Sequence, residues 1–427
     1  MSHRLQEKHS GQLNREQELF LELAACFIHD EKAEPGEVLP FLEKLANLAD
    51  VHKMSPAIFE VLRVSSAGES LSGQEFWAGW KRSAIREIIF QTRRTEGFLA
   101  LYRRFLEAGI RPLVVKGIIC RSLYTKSDYR ISSDEDVLVR KEDAAVCDEV
   151  LMSQGFHREK LDLENLPHEI AYRNPENGAY IELHFSLFDE ESGIFGRLNS
   201  VFEDVFDSAV AVPVQGVDIW TLHPTKHFLY LLCHCYKHFL FSGFGIRQVC
   251  DIVIMAEKWG SQMDWQYLRD QIRAFQMERF FAGLMQIGLC WLHMSPDVYE
   301  HMGKDMWAKE DSIDLLEDIL AAGIYGSSTR ERLHSANITL AAAQKESGIL
   351  NALFPNIDYM KTRFKYVEKY PLLLPAAWGA RIGNYLLKDV RKNPQGTEAD
   401  AESMDSGSSL EIGKKRVELI RKYGLIE

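Results

Sequence analysis

RISSDEDVLV, residues 130–139, places two aspartates one residue apart at the start of an apolar, β-branched run. On a β-strand alternate side chains share a face, so Asp134 and Asp136 point the same way and Glu135 points oppositely. Two aligned carboxylates repel each other unless a cation lies between them, and oxygen ligands suit a hard cation such as Mg²⁺. The stretch predicts half of a phosphoryl-transfer metal site, although a D-x-D pair alone is also common at strand edges and in solvated turns.

The segment just before this stretch predicts an anion-binding corner. Residues 112–117 (PLVVKG) read as a short apolar strand that ends in Lys-Gly, and residues 118–124 continue with a helical pattern. A strand, a glycine turn and a helix N-terminus together direct backbone N–H groups and the helix dipole at a phosphate. Lys116 would add a point charge beside the Gly117 turn.

A third piece lies in residues 179–185 (AYIELHF), where strict alternation sets Tyr180, Glu182 and His184 on one face. The loop NPENG precedes it, so a hairpin is predicted over residues 169–185. If this strand pairs beside the aspartate strand, Glu182 would complete a three-carboxylate cage. Taken alone, the glutamate fits an ordinary half-exposed strand equally well.

The order of these motifs along the chain resembles that of a known family. The Lys116-Gly117 turn, the 130–139 stretch, Gly155-Phe156 and the run 181–184 (IELH) are similar to the uncharacterised nucleotidyltransferase family of the DNA polymerase β-like superfamily. Members of that superfamily carry a strand and glycine turn, a D-x-D or D-x-E pair, and a third acidic residue on a nearby strand. The resemblance spans about residues 85–260.

Two departures from the superfamily pattern stand out. The usual Gly-Ser after the first strand is here Lys116-Gly117, so the serine that commonly touches phosphate is absent from that position, and Ser132 or Ser133 is its candidate substitute. The residue between the aspartates is often apolar in relatives, whereas here it is Glu135, which we expect to face away from the metals or to form a rim. The three carboxylates remain, so the resemblance implies an enzyme.

The resemblance implies transfer of a nucleoside monophosphate from a nucleoside triphosphate to a hydroxyl acceptor, with release of pyrophosphate. Two Mg²⁺ or Mn²⁺ ions would lower the pKa of the acceptor hydroxyl and neutralise the departing pyrophosphate. The catalytic and metal-binding residues it implies are Asp134, Asp136 and Glu182. The nucleotide-binding residues are Lys116, Gly117, Arg130, Ser132 and Ser133. Whether Glu182 is a metal ligand or the general base stays open.

A second constellation occurs on a later predicted helix, LCHCYKH, residues 232–238. His234 and His238 lie one turn apart, which suits zinc, but Cys235 stands where a metalloprotease H-E-x-x-H motif needs glutamate. Further on, Arg247 and Asp251 have the spacing of an intrahelical ion pair.

Members of the family resemble this chain in these two helices as well, and the resemblance implies that the helices close over the nucleotide. Second-tier residues that would reach the triphosphate or base are His184, His234, Lys237, His238 and Arg247. The alternative for the helix residues is a structural role, as buried polar cross-links between the helices and the palm.

The pattern along the chain predicts an α+β fold, a mixed-sheet nucleotidyltransferase palm with an N-terminal helical segment and a large C-terminal helical domain. Residues 65–73 read as a loop. The expected divisions are an N-terminal helical segment and linker (1–73), the palm (74–220), the helical domain (221–392), a disordered linker (393–409) and a C-terminal helix (410–427). A basic cluster interleaved with aromatic residues, read mainly as a solvated helix face, comprises Lys361, Arg363, Lys365 and Lys369.

Composition narrows the class of partner. The chain has 427 residues and a formal net charge of −12, which argues against duplex nucleic acid because phosphate neutralisation needs a basic surface. A small molecule, a protein side chain or a short RNA end remains as acceptor. Seven scattered cysteines without a C-x-x-C pair predict reduced thiols in a cytoplasmic protein. No apolar run reaches the roughly 18 residues of a membrane span.

Two rival functions use the same residues. A kinase-like phosphotransferase would release a nucleoside diphosphate, but the chain contains neither the protein-kinase motifs nor a G-x-x-x-x-G-K-[ST] loop. A non-catalytic nucleotide sensor would bind metal and triphosphate without transforming an acceptor.

Overall fold

The structure is a computed structural model, and it describes residues 13–158, 166–190, 195–241, 243–308, 311–323, 360, 364, 370, 373–378, 416 and 418–423. Its helices before the sheet are α1 (Arg15–His29), α2 (Leu42–Val51), α3 (Ser55–Val64), α4 (Gly68–Leu71) and α5 (Glu75–Glu107). Helices within the sheet region are α6 (Gly117–Ser122), α7 (Ala144–Ser153) and α8 (Phe195–Leu198). The later helices are α9 (Pro224–Phe241), α10 (Ile246–Trp259), α11 (Trp265–Ala274), α12 (Glu278–Trp291), α13 (Pro296–His301) and α14 (Ile313–Ala322).

Five strands form a mixed sheet in the order β1-β2-β5-β4-β3, and two more form a separate hairpin. The strands are β1 (Leu113–Val114), β2 (Glu135–Leu138), β3 (His157–Arg158), β4 (Glu169–Arg173), β5 (Tyr180–His184), β6 (Val210–Val214) and β7 (Val217–Thr221). β2 runs parallel to β5, while β1–β2, β5–β4 and β4–β3 are antiparallel. The predicted 169–185 hairpin is confirmed, and the aspartate strand pairs beside it.

The 33-residue helix α5 links two hydrophobic cores. Its first half packs Trp77 and Trp80 against the N-terminal helices, where the ring of Phe59 lies 4.4 Å from that of Trp77. Its second half packs Phe98 and Phe105 under the five-stranded sheet. One helix with apolar residues at helical spacing therefore contributes to both cores and connects the helical region to the five-stranded sheet.

The N-terminal helices share a core with the helices that follow the sheet. Side chains of α1–α3 and of α9–α14 belong to one continuous buried cluster. His52, after α2, is buried within it; its Nδ1 accepts from the Ile246 N–H at 3.2 Å and its Nε2 lies 3.2 Å from the Leu320 carbonyl. Residues far apart in sequence therefore build one helical layer beside the five-stranded sheet.

The loop predicted for residues 65–73 is wrong in part, because α4 forms inside it. Gly68 starts this turn where the chain folds back on α3; an added Cβ there would lie 2.4 Å from the Arg63 carbonyl oxygen. Leu71 at its end is buried. A glycine at the tight reversal and one buried leucine are enough for a single helical turn.

Several expectations for the C-terminal part lie outside the described residues, namely the basic cluster at Lys361, Arg363, Lys365 and Lys369 and the disordered linker at 393–409. Of the predicted terminal helix, residues 416 and 418–422 are helical. Arg416 Nη1 lies 2.6 Å from Asp318 Oδ2 on α14, and Tyr423 donates to Asp314 Oδ1 at 3.0 Å. The terminal residues thus dock on the helical layer.

All seven cysteines are free, as the sequence predicts, and the structure places all seven in buried positions. Within the part of the chain that the structure covers, no helix is both long and apolar enough to pass through a membrane.

Candidate metal and nucleotide site

The candidate site begins with two carboxylates on neighbouring parallel strands. Asp136 on β2 is in direct register with Glu182 on β5, and both residues are buried, 2% and 8% exposed. His184, two residues after Glu182, shares its face of the sheet. Its Nε2 lies 3.2 Å from Asp136 Oδ1 and 3.9 Å from Glu182 Oε2. One oxygen or nitrogen atom from each of these three residues falls within a 4.8 Å cluster.

Lys116 supplies a positive charge to this cluster from the turn before α6. Its Nζ lies 3.0 Å from Asp136 Oδ2. Burial lowers the pKa of the lysine, but Asp136 and the other nearby acids outweigh burial and hold that pKa well above its usual value. Burial likewise raises the pKa of Asp136, yet Lys116 and His184 bring it below the usual range. The site therefore contains an ammonium group and an ionised aspartate.

Asp134 lies immediately before β2 and is half-buried. Its negative charge contributes to the raised pKa of Lys116, so it stands near the same ammonium group. Among the described residues, the 4.8 Å cluster contains Asp136, Glu182 and His184, and metal binding by Asp134 stays a prediction. Asp134 flanks this cluster at the start of the strand.

Helix α9 brings His234 and His238 to the other side of Lys116. Nε2 of His234 lies 3.0 Å from the lysine Nζ and 3.3 Å from Nε2 of His238. Burial, together with the Lys116 charge, holds the pKa of His234 well below its usual value. A neutral His234 accepts from the ammonium group. Burial raises the pKa of Glu169, but a hydrogen bond from His168 and the charges of His184 and, to a smaller extent, Lys237 hold that pKa well below its usual value.

Sequence reasoning missed two residues of this neighbourhood. Glu169 on β4 is in register with His184, and its Oε2 lies 3.8 Å from His184 Nδ1. Tyr230 is buried one helical turn before His234, and its pKa is raised by burial. Both positions carried a signal: the hairpin pairs the first residue of β4 with the last of β5, and a spacing of four places Tyr230 on the His234 face.

The turn at Gly117 differs from the predicted phosphate corner, because a carboxylate of the protein lies in it. Glu135 Oε2 accepts the Ile118 N–H at 2.7 Å, and its Oε1 lies 2.6 Å from Arg121 Nη2. Gly117 has a φ of +47°, and an added Cβ would lie 1.8 Å from Glu135 Oε2. As its place on the strand predicts, Glu135 points away from Asp136. Residue 117 must therefore be glycine, because any side chain there would collide with the Glu135 carboxylate.

The comparisons with known proteins give a family. The family described as "Uncharacterised nucleotidyltransferase" matches residues 42–293, more than half of the chain. The chain belongs to this family. No curated protein and no solved structure matches it. The matched range begins with α2 and ends just after α12, so it contains the whole sheet and the candidate site. Membership supports a general nucleotidyltransferase role.

Arg130, a nucleotide-binding candidate, and Arg247, a second-tier candidate, make contacts that anchor the segment before Asp134. Arg130 pairs with Asp251, its Nε lying 3.1 Å from Oδ1, and Tyr124 donates to the same oxygen at 2.8 Å. Arg247 donates to the Ile131 carbonyl. The sequence predicts an ion pair between Arg247 and Asp251 within one helix, but the partners of Asp251 in these contacts are Arg130 and Tyr124, which lie outside that helix. These contacts fix the approach to the aspartates.

The two serines follow in the same segment. The backbone N–H of Ser132 donates to Gln91 Oε1 at 2.8 Å, and its hydroxyl accepts from Arg121. Ser133 is half-buried and, with Ser132 and Asp134, borders a cavity of about 210 Å³ between α5 and the β4–β5 hairpin. Contact of these serines with phosphate stays a prediction.

The donor set of this family member fits a divalent cation. Oδ2 of Asp136 is buried and accepts no hydrogen bond of normal geometry from any described residue, although Lys116 Nζ is close. Ligand atoms on opposite sides of an ion bound at 2.0–2.2 Å are about 4 Å apart, and the cluster already lies within 4.8 Å. The carboxylates of Asp136 and Glu182 and the imidazole of His184 therefore form a candidate metal site.

Proposed function

We propose that the protein transfers a nucleoside monophosphate from a nucleoside triphosphate to a hydroxyl group of an acceptor and releases pyrophosphate. The observation that carries the proposal is the register of Asp136 with Glu182, two buried acids side by side with Lys116 on the first of them. Buried carboxylates are costly unless they have charged partners or hold a metal. Family membership and this arrangement together favour metal-dependent nucleotidyl transfer.

Each residue has a role that follows from its chemistry. Asp136 and Glu182 would hold the cation, with Asp134 at the rim of the site. Mg²⁺ or Mn²⁺ bound there would lower the pKa of the acceptor hydroxyl and neutralise charge on the triphosphate. Lys116 supplies a fixed positive charge for the phosphate tail, and neutral His234 orients that ammonium group by accepting from it.

The proposed reaction balances as an in-line displacement. The acceptor oxygen forms a bond to the α-phosphorus, and the bond from that phosphorus to the bridging oxygen breaks. Pyrophosphate leaves with the electron pair, and the hydroxyl proton passes to a base, for which Glu182 is the candidate within the protein. The helical layer of α9 and α10 covers this face of the sheet and limits the access of water.

The test is incubation of the purified protein with Mg²⁺ or Mn²⁺, each α-labelled nucleoside triphosphate and a cell extract as the source of acceptors. We expect label on an acceptor together with pyrophosphate, both lost in Asp136→Asn. Asp218→Asn, an exposed aspartate on the β6–β7 hairpin, is the matched control and retains activity.

The products decide between the proposal and its rivals. Release of a nucleoside diphosphate with γ-label on the acceptor would show a phosphotransferase. Triphosphate binding without pyrophosphate, across all four nucleotides and the complete extract, would show a sensor. Full transfer by Asp136→Asn would reject the assignment of the site.

A further inference from the structure

The candidate metal cluster contains a histidine, His184, beside two carboxylates. Nε2 of His184 is the atom that points at the two acids, 3.2 Å from Asp136 Oδ1 and 3.9 Å from Glu182 Oε2. The residue is 5% exposed. A buried imidazole nitrogen at this distance from two carboxylates is either a donor to them or a fellow ligand of one cation.

The opposite side of the imidazole ring faces the carboxylate of Glu169, whose Oε2 also lies 3.4 Å from His168 Nε2. Nδ1 of His184 is buried without a hydrogen bond to any residue that the structure describes, and Oε2 of Glu169 lies 3.8 Å from it. Metal-ligating histidines usually donate their second ring nitrogen to a carboxylate, which fixes the tautomer. Closure of this gap by about 1 Å would make a normal hydrogen bond.

We propose that His184 Nε2 is a direct ligand of the cation and that this ligand makes the site select Mn²⁺ over Mg²⁺. Mg²⁺ is bound through carboxylates, waters and phosphates, whereas di-manganese carboxylate proteins hold their metal with glutamate and histidine together. The inference concerns the site of the proposed function and rests on its metal-binding part. It does not depend on transfer chemistry, because an inactive protein with the same cluster would bind Mn²⁺ in the same way.

The test is electron spin echo envelope modulation of Mn²⁺ added alone to the full chain, without nucleotide. We expect nitrogen modulation from one directly bound imidazole, with frequencies that change when the protein is labelled with ¹⁵N-histidine. This measurement on the unmodified chain needs no variant that must fold. Mn²⁺ bound in one-to-one ratio without nitrogen modulation would overturn the assignment of His184.

A variant and a competition experiment test the selectivity. His184→Gln keeps an amide of similar length, and we expect it to lose the nitrogen signal and at least about tenfold in Mn²⁺ affinity, as is typical when groups around a metal site are removed. The matched control is His157→Gln, an exposed histidine on β3, which keeps both. Circular dichroism confirms that each variant is folded.

Competition by Mg²⁺ gives the final readout. We expect the wild-type protein to hold Mn²⁺ against at least about a tenfold excess of Mg²⁺, and His184→Gln to lose this preference. Equal affinity for the two ions in the wild-type protein would contradict the selectivity. Failure of nucleotide transfer with Mn²⁺ binding intact would count against the proposed function alone, so the two failures are distinguishable.

Discussion

Adjacent residues on one strand carry buried carboxylates with opposite surroundings. On one face Glu135 accepts the Ile118 N–H and pairs with Arg121, so both of its oxygens have protein donors. On the other face Asp136 has His184 Nε2 3.2 Å from Oδ1 and the Lys116 ammonium group 3.0 Å from Oδ2, and the Oδ2 contact is an ion pair without the angles of a normal hydrogen bond. A carboxylate saturated by protein donors stabilises the fold, whereas one with a spare lone pair is available to a ligand.

The same contrast separates two buried histidines. His52 uses both ring nitrogens, one with the Ile246 N–H and one with the Leu320 carbonyl. His184 uses Nε2 toward Asp136, and its Nδ1 faces Glu169 across 3.8 Å. Both histidines are buried, so burial does not distinguish them. They differ in the number of ring nitrogens that have a hydrogen-bond partner among the described residues.

The largest expected effect comes from removing the charge of the unsaturated carboxylate. We expect Asp136→Asn to reduce nucleotide transfer by at least about 10³-fold, since a metal contributes several kcal/mol to such a transition state. The free energy of unfolding should change little, because relief of repulsion from Glu182 offsets the lost attraction to Lys116. Steady-state pyrophosphate release and urea unfolding measure the two quantities. If Asp136→Asn lowered the free energy of unfolding strongly and its folded fraction transferred nucleotide normally, Asp136 would be a structural residue and the comparison with Glu135 would be contradicted.

We expect a change at the Glu135 face of the strand to lower the stability of the protein, unlike Asp136→Asn. Arg121 is 1% exposed, so Arg121→Met leaves Glu135 buried without its countercharge and should cost about 3–5 kcal/mol of stability. Urea unfolding measures the loss. Arg104→Met removes an exposed arginine that pairs with Glu107 at 2.8 Å and should cost less than about 1 kcal/mol. Equal losses in the two variants would show that the Arg121–Glu135 pair is not a structural element.

Much of the contrast was readable from the sequence and part of it was not. Alternation placed Asp136 and Glu135 on opposite faces, and the NPENG loop fixed the hairpin that pairs β4 with β5. The assignment of Gly117 to a phosphate turn came from the same local reasoning, and its neighbour proved to be Glu135. Local patterns fix strand faces and turns, but they do not say which group fills a concave turn.

Long-range partners could not be predicted for a related reason. Lys116 meets His234, and Arg130 meets Asp251, across more than 100 residues. These meetings depend on how α9 and α10 pack on the sheet. That packing is set by large apolar surfaces, and the periodicity of one helix does not identify its partner.

We expect His52, whose two ring nitrogens both have hydrogen-bond partners, to make the protein less stable in acid. Burial lowers the pKa of His52 to about 4, while in the unfolded chain it is about 6.5. Below pH 6.5 the unfolded state gains a proton that the folded state does not bind, so stability falls toward pH 4, by about 3 kcal/mol from this group. Urea unfolding at pH 7, 6 and 5 measures it. His52→Gln should lack this component of the slope, and an identical slope in that variant would assign the effect elsewhere.

The glycine beside the saturated carboxylate tests whether Glu135 occupies the turn. We expect Gly117→Ala to cost about 2 kcal/mol or more, from left-handed backbone strain and from displacement of the carboxylate. Gly216→Ala is the matched control, since Gly216 has a φ of +79° with no atom within 4 Å of an added Cβ. That control should show only the strain, about 1–2 kcal/mol. Thermal and urea unfolding compare the two, and equal costs would mean that Glu135 yields freely.

The smallest effect is expected from changing Glu169, the carboxylate that faces Nδ1 of His184 across 3.8 Å. Glu169 lies beyond His184 from the other two acids, so Glu169→Gln should weaken Mn²⁺ binding by about tenfold, or about 1.4 kcal/mol, without removing the cation site. Nitrogen modulation of bound Mn²⁺ should persist in this variant, because His184 remains the ligand. Glu176→Gln, in the exposed loop of the same hairpin, should bind Mn²⁺ as the wild type does. Complete loss of Mn²⁺ binding in Glu169→Gln would make Glu169 a ligand of the cation itself, and no longer only a partner of His184.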